Sequence, residues 1–247
     1  MEDKYAAFLA ALAGLADAPT PSTRDEALLK AIIDRNNKNA CFESGEGTGS
    51  IQSLIPGAQP TASGNYSFAV GEETTASGAI SFAAGSNTVA SGENSIAIGR
   101  STIASGKSSV AIGSYASDTP QTTASGQGAL AVGYGATASG ALSAAIGYGT
   151  TANALHSMAT GRFTTATGRS ATVIGQYNVP DDNEVDTSHG SGARKYLFTI
   201  GNGTADNDRS NALTVDWSGN LVTSGTLTIG STTITEAQLI SLLASLN

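Results

Sequence analysis

The sequence is poor in cysteine, histidine, tryptophan and charged residues, and these shortages exclude particular kinds of structure. Its 247 residues include one cysteine, two histidines and one tryptophan, and only 6% are aromatic and 13% charged. The single cysteine, Cys41, excludes an intrachain disulfide framework and leaves open an interchain bridge or a plain reduced thiol. With 40% hydrophobic but few aromatic residues, the chain is ordered yet lacks the material for a thick globular core.

Side chains that catalyse reactions or hold metals are scattered. Neither His156 nor His189 has a nucleophile or a paired carboxylate at a recognisable spacing. Two acidic runs lack the glycine-punctuated spacing of a calcium loop, so we interpret them as solvated turns. They are Asp181, Asp182, Glu184 and Asp186, and then Asp206 and Asp208. The sequence therefore predicts no enzyme, no metal site and no cofactor.

Charge is acidic overall but balanced in the middle of the chain. The net charge is −8. Between residues 61 and 175, four acidic residues balance four basic ones: Glu72, Glu73, Glu93 and Asp118 against Arg100, Lys107, Arg162 and Arg169. A segment without excess positive charge has no field that attracts phosphates, so we expect no nucleic acid partner.

The middle of the chain is rich in one phrase, which occurs eight times. The copies are SFAVG, SFAAG, SIAIG, SVAIG, ALAVG, SAAIG, SMATG and ATVIG, which begin at Ser67, Ser81, Ser95, Ser109, Ala129, Ser143, Ser157 and Ala171. A second phrase, ASG, precedes each copy and degenerates to ANA and ATG before the last two. The step is fourteen residues, except that six extra residues between Gly113 and Ala124 mark an insertion at about 115–122.

A short fixed period with two glycine-bearing turns predicts a parallel β-solenoid. Fourteen residues leave no room for a helix pair, and Gly, Ser and Thr are poor helix formers. Two strands of four or five residues, each closed by a turn at glycine, fit the period. Each repeat is then one coil that contacts mainly its neighbours.

Side chains within each copy alternate between the two faces of a strand. Ser and Ala would fill a very narrow interior, whereas the bulky residues would form an apolar stripe. Its members are Phe68, Val70, Phe82, Ile96, Ile98, Val110, Ile112, Leu130, Val132 and Ile146. The area of such a stripe exceeds that of the apolar patches that monomers usually expose. It therefore predicts a homo-oligomer around a common axis.

The pairing of SVAIG with ASG at a fourteen-residue step resembles the head domain of trimeric autotransporter adhesins, the YadA-like parallel β-roll with haemagglutinin-type repeats. The resemblance covers about residues 61–175. It implies a left-handed β-roll in a homotrimer, with the bulky residues of the SVAIG phrase facing the trimer axis. Asn153, Ala154, Thr160 and Thr172 depart from the pattern, which predicts that the last two coils are looser or form a cap.

The N-terminal segment AAFLAALAGLADA can be interpreted as a signal peptide or as a helix. Acidic residues stand where a signal peptide needs basic ones, and apolar residues recur at helical spacing, so we favour an amphipathic helix. A second helix, from a capping box at Ser22 and Asp25 to about Arg35, carries one apolar face. That face consists of Leu28, Leu29, Ile32 and Ile33.

These two helices predict an anchoring module over residues 1–36. The phrase PTPSTRDEALLKAI within it resembles N-terminal segments of structural proteins of phages of Gram-positive gut bacteria. Residues 37–60 are rich in Gly, Ser, Asn and Pro, which predicts a flexible neck.

Beyond Gly175 the period stops. KYLFTIGNG and NALTVDWSGNLVTSG, separated by the acidic turn TADNDRS, predict strands and a hairpin in a β-rich module over residues 176–234. The module resembles the region that follows such repeats in phage tail-fibre and prophage fibre proteins. We interpret Trp217 as a trimer-core or hairpin anchor rather than a sugar platform.

Residues 235–247 predict a short trimerising helix. Thr235 and Gln238 can cap it. Its apolar residues lie at coiled-coil spacing and are Leu239, Leu242, Leu243 and Leu246. Three such helices would clamp a trimer at its tip.

Together these features predict a homotrimeric fibre protein of a phage or prophage particle, in its head or tail, assembled in the host cytoplasm. The N-terminal module would bind other virion proteins, and the β-roll would project for attachment to the host surface. The inserted loop, with Tyr115, Asp118 and Pro120, is a candidate contact with a host glycan or protein. The alternative is a bacterial cell-surface adhesin or a fragment of one. That would need a secretion signal and a membrane anchor, whereas we expect a complete chain without membrane insertion.

Overall fold

A computed structural model of the chain describes residues 42–54, 59–114, 121–181, 195–229 and 232–245. Several residues singled out from the sequence lie outside these ranges. They are the anchoring residues Leu28, Leu29, Ile32 and Ile33, the loop residues Tyr115, Asp118 and Pro120, and also Cys41, His189 and Leu246.

Each repeat forms one coil, made of a two-residue strand and then a five-residue strand. Two short strands, β1 (Phe42–Ser44) and β2 (Ile51–Ser53), precede the repeats. The two-residue strands are β3 (Thr61–Ala62), β5 (Thr75–Ala76), β7 (Val89–Ala90), β9 (Ile103–Ala104), β11 (Thr123–Ala124), β13 (Thr137–Ala138), β15 (Thr151–Ala152) and β17 (Thr165–Ala166). The five-residue strands are β4 (Phe68–Glu72), β6 (Phe82–Ser86), β8 (Ile96–Arg100), β10 (Val110–Ser114), β12 (Leu130–Tyr134), β14 (Ala144–Tyr148), β16 (Met158–Arg162) and β18 (Thr172–Gln176).

Five more strands and one helix follow the repeats. They are β19 (Tyr196–Asn202), β20 (Asn211–Asp216), β21 (Leu221–Thr223), β22 (Leu227–Ile229), β23 (Thr232–Ile234) and α1 (Glu236–Ala244). The helix begins at a capping box, because the amide of Gln238 donates to Thr235 Oγ1 at 3.3 Å while Gln238 Oε1 accepts from the amide of Thr235 at 2.9 Å.

The strands of successive coils stack into two parallel sheets. The long sheet has the order β1-β2-β4-β6-β8-β10-β12-β14-β16-β18-β19-β20-β21, and the short sheet runs from β3 to β17 through every two-residue strand. All pairs from β2 to β19 and all pairs of the short sheet are parallel. The predicted all-β parallel solenoid of eight repeats is therefore confirmed.

The interior between the two sheets is built from small side chains. The second residue of each long strand is Ala from β4 to β16, and it is fully buried. The Ser or Ala before each long strand is also buried, as is the residue before each short strand, which is Pro60 before β3 and Thr or Ala before the others. Because these side chains are short, the sheets approach closely, which explains how an ordered fold forms with so few aromatic residues.

A column of glycines makes the close stacking of coils possible. Gly99 has a φ of +127°, and a Cβ placed there would overlap the carbonyl oxygen of Gly113 in the next coil. The glycine that ends each copy of the phrase meets its successor in the same way from Gly71 to Gly161. The repeated glycine is thus needed both for backbone conformation and for space.

The six inserted residues do not disturb the stack. Val110 pairs with Leu130, and Ile103 pairs with Thr123, in the same pattern as in the uninterrupted coils. Thr122 is fully buried at the interior position held by Thr102 one coil earlier. The insertion therefore lies between Ser114 and Thr122, just before a short strand.

The segment before the repeats differs from the flexible neck predicted for residues 37–60. Within it, β2 pairs in parallel with β4, and the amide of Gly47 donates to the carbonyl of Ala62 at 3.1 Å. Ser50 is buried and its side chain bonds Gly47 O. Residues 45–53 thus form a degenerate coil, because Gly and Ser recur there at the spacing that the repeats use.

The last two coils keep their register despite their altered sequence. β14, β16 and β18 pair in step. One local change is seen at Ala154, whose amide donates to Ser157 Oγ at 3.3 Å, whereas Gly140 at the equivalent position donates to Ala152 O. Beyond them β19 adds in parallel to β18, and β20 and β21 continue the sheet as an antiparallel meander. The predicted strands of this module are present.

Candidate self-association surface

The outward face of the long sheet carries two columns of side chains in register. The first column, from β4 to β18, contains Phe68, Phe82, Ile96, Val110, Leu130, Ala144, Met158 and Thr172. The second contains Val70, Ala84, Ile98, Ile112, Val132, Ile146, Thr160 and Ile174. We call these two columns the outward stripe. All ten residues predicted for the apolar stripe lie in it.

The outward stripe is solvent-exposed to a degree unusual for such residues. Ile96, Ile98 and Ile112 are 37%, 36% and 38% exposed, although isoleucine is among the residues most often buried. No member of either column is charged. Apart from Thr160 and Thr172 the surface is apolar over eight coils, and exposed apolar surfaces of this size favour an interaction site. Its role as a trimer interface stays a prediction.

Sequence reasoning missed part of this surface. Phe198 pairs with Thr172, and Ile200 with Ile174, so β19 prolongs both columns. The signal was present, since FTIG repeats the alternation and the final glycine of ATVIG. At the other end Ile51 pairs with Phe68 and is 45% exposed.

An aromatic ladder runs beside the outward stripe in the later coils. The rings of Tyr134 and Tyr148 stack with centroids 5.2 Å apart, Phe163 meets Tyr148 edge-on at 5.0 Å, and Tyr177 stacks on Phe163 at 5.0 Å. Gly149 makes room for it, because a Cβ there would lie 2.6 Å from the Phe163 ring. The ladder adds aromatic contacts between successive coils to the contacts of the small interior side chains.

Arg209 ties the C-terminal meander to the end of the solenoid. Its Nη1 donates to Phe163 O at 3.0 Å and to Asn178 O at 3.1 Å, and its Nη2 pairs with Asp206 at 2.5 Å. Its guanidinium also lies 5.7 Å from the centroid of the Tyr177 ring. The acidic turn therefore has a structural partner, and Asp208 accepts a hydrogen bond from Thr204 in the same turn.

Other sequence candidates are dispersed. His156 is exposed in a turn with a φ of +58°. Among the described residues, no group of three or more His, Cys, Asp or Glu side chains lies close enough to hold a metal ion. Leu239 is 48% exposed on α1, while the side chains of Leu242 and Leu243 are not described. No described helix is long and apolar enough to cross a membrane.

A comparison with known protein families gives a match to the coils. The model of the YadA head domain repeat, which spans two copies, matches residues 62–88, 90–116, 124–150, 138–164 and 152–178. These ranges coincide with the coils and their register. The matched residues within 62–178 carry YadA head repeats, and we call residues 62–178 the YadA-type head. The resemblance inferred from SVAIG and ASG is confirmed, and the YadA-type head implies an adhesin-like β-roll. No match was found among curated proteins.

Proposed function

We propose that the chain forms a parallel homotrimer around its outward stripe and serves as a fibre protein of a phage or prophage particle that presents the YadA-type head to a host surface. The observation that carries the trimer is the exposed stripe itself. Two uncharged columns in unbroken register leave isoleucines more than a third exposed in one chain, and packing against other chains would remove this area from water at about 25 cal/mol per Å².

Parallel assembly follows from the difference between the two ends of the stripe. Phe68 and Phe82 lie near its N-terminal end, with ring centroids 5.4 Å apart, and Thr160 and Thr172 lie near the other. Chains that run in the same direction place phenylalanines against phenylalanines at one end and threonines against threonines at the other. A closed rotation about one axis also leaves no copy of the stripe uncovered.

The role in a virion rests on other parts of the sequence. Segments on both sides of the head resemble phage structural and fibre proteins, and the N-terminal module would bind other virion proteins. The inserted loop with Tyr115, Asp118 and Pro120 is the proposed contact with a host glycan or protein. A bacterial cell-surface trimeric adhesin is the alternative.

Sedimentation tests the assembly. We expect the mass of a trimer at micromolar concentration for the wild-type chain and for the control Ser91→Asp, whose side chain is exposed away from the stripe. Ile98→Asp should dissociate the trimer, because it would bring three carboxylates into an apolar contact. A monomeric wild-type mass would overturn the proposal.

Labelling tests the location. An antibody raised against the purified head should decorate phage particles from the producing strain in electron micrographs. Decoration of intact cells without particles would favour the cell-surface alternative.

A further inference from the structure

We infer that the three strands after the repeats, β19 to β21, are a second part of the self-association surface, where each copy meets the same strands of the other copies. This inference rests on the proposed homotrimer. It concerns residues outside the repeated phrase and names two further copies of this chain as the partner.

The outward stripe does not end with the last coil. Phe198 of β19 pairs with Val215 of β20, which pairs with Leu221 of β21. Beside them, Ile200 pairs with Leu213. These residues prolong the two columns of the stripe in the same hydrogen-bonded sheet. Apolar side chains thus return after the polar interruption at Thr160 and Thr172.

The alternation in these strands is the reverse of that in a sheet whose outer face meets water. A solvated antiparallel sheet places apolar residues inward and polar residues outward. In β19 and β20 the inward pair is Thr199 and Thr214, which are only 3% and 6% exposed, whereas the outward residues Phe198, Ile200, Leu213 and Val215 are apolar. Such a pattern indicates that the outer face of the meander is covered.

A second copy of this chain is the partner that the geometry favours for the outer face of the meander. If the coils of several chains lie side by side with their stripes facing one axis, the outward face at residues 198–200 faces that axis too, because this stretch pairs in step with both β18 and β20, between the two register shifts of β19 with β20. The outward residues Phe198, Ile200, Leu213, Val215 and Leu221 carry no charge, so they match a copy of themselves better than a charged partner.

This contact would also set the axial register of the chains. The coils are nearly alike, so a slip by one coil would still place most apolar residues of the stripe against apolar residues. The meander occurs once per chain and has no equivalent one step away. Contact between the meanders therefore favours the assembly in which every coil is level with the same coil of its neighbours.

Single cysteines report these contacts. Each variant carries Cys41→Ser and one new thiol, and crosslinking by mild oxidation is measured on gels at low micromolar concentration. Val215→Cys, and Leu213→Cys as a second reporter, probe the meander. Ile98→Cys probes the stripe of the coils. Ser91→Cys is the exposed control away from the stripe, and Thr214→Cys is the inward control on the same strand.

We expect both meander reporters to form a crosslinked dimer band at about ten times the yield of Ser91→Cys or more, because adjacent thiols in one assembly have a high effective concentration. Crosslinking of Ile98→Cys without either meander reporter would overturn this inference and leave the proposed trimer intact. If neither site crosslinks, both are overturned. Circular dichroism of each variant verifies that the strands have formed.

Discussion

The side-chain amide of Asn178 forms hydrogen bonds with both backbone polar groups of Thr165. Its Oδ1 accepts from the Thr165 amide at 2.7 Å, and its Nδ2 donates to the Thr165 carbonyl at 3.0 Å. Thr165 lies in β17, the last strand of the short sheet. At the opposite edge, the amide of Ala62 donates to Gln52 Oε1 at 3.2 Å. Carboxamide side chains thus satisfy exposed edges that would otherwise pair with another strand.

Asn178→Asp should destabilise the protein by about 1–3 kcal/mol per chain, because an ionised carboxylate in this buried site cannot donate to the carbonyls of Thr165 and Val179. Chemical denaturation measures the loss. The matched control is Asn202→Asp, where the exposed side chain only accepts, from Ser210 Oγ at 2.7 Å. Equal denaturation midpoints for the two variants would contradict the capping role.

Gly99→Ala should prevent normal stacking and cost more than about 4 kcal/mol, or abolish soluble folding, because its methyl group would overlap Gly113 O in the next coil. The control is Gly225→Ala, since a Cβ there meets no atom within 4 Å, and it should change stability by less than about 1 kcal/mol. Soluble yield and thermal melting distinguish the two. A fully folded Gly99→Ala protein with an unchanged melting temperature would refute the steric argument.

A reciprocal exchange at one turn position tests backbone strain. Ile80 and Asn94 occupy equivalent turns with φ of 56° and 57°, a region that disfavours β-branched residues and tolerates asparagine. Ile80→Asn should stabilise the chain by about 1 kcal/mol, and Asn94→Ile should destabilise it by a similar amount. Denaturation midpoints provide the measurement. Because Ile80 is 59% exposed in one chain, a loss of stability in Ile80→Asn would instead place this side chain in a contact between chains.

Removal of the insertion tests the loop. Replacing residues 115–121 by one serine restores the fourteen-residue step and keeps the buried Thr122, so stability should stay within about 0.5 kcal/mol of wild type. If the loop contacts the host, adsorption of particles to host cells should fall. A full-length control with serine at Tyr115, Asp118 and Pro120 separates loss of those side chains from loss of length. Unchanged adsorption in both variants would overturn the receptor-loop proposal.

The repeats could be predicted from the sequence because the same side-chain alternation and the same turn recur in every coil. SVAIG fixes which side chains turn inward, and its glycine fixes where the chain turns, so one correct alternation gives the register of all eight coils. The ten stripe residues from Phe68 to Ile146 were found in this way. The extension through Phe198 and Ile200 was missed because the strand lies outside the fixed period, although FTIG has the same alternation.

What the sequence by itself determined is therefore the coil, its narrow interior of Ala, Ser and Thr, and the apolar stripe, since all of these follow from contacts between residues close in the repeat. Only the tertiary structure decided how the solenoid ends. Residues 45–53 pack on the first coil. Arg209 donates to Phe163 O, 46 residues earlier in the chain. Asn178 forms the hydrogen bonds with Thr165 that a further strand of the short sheet would form. These contacts join segments with no shared period, and whether they form depends on geometry that exists only once the coils have stacked.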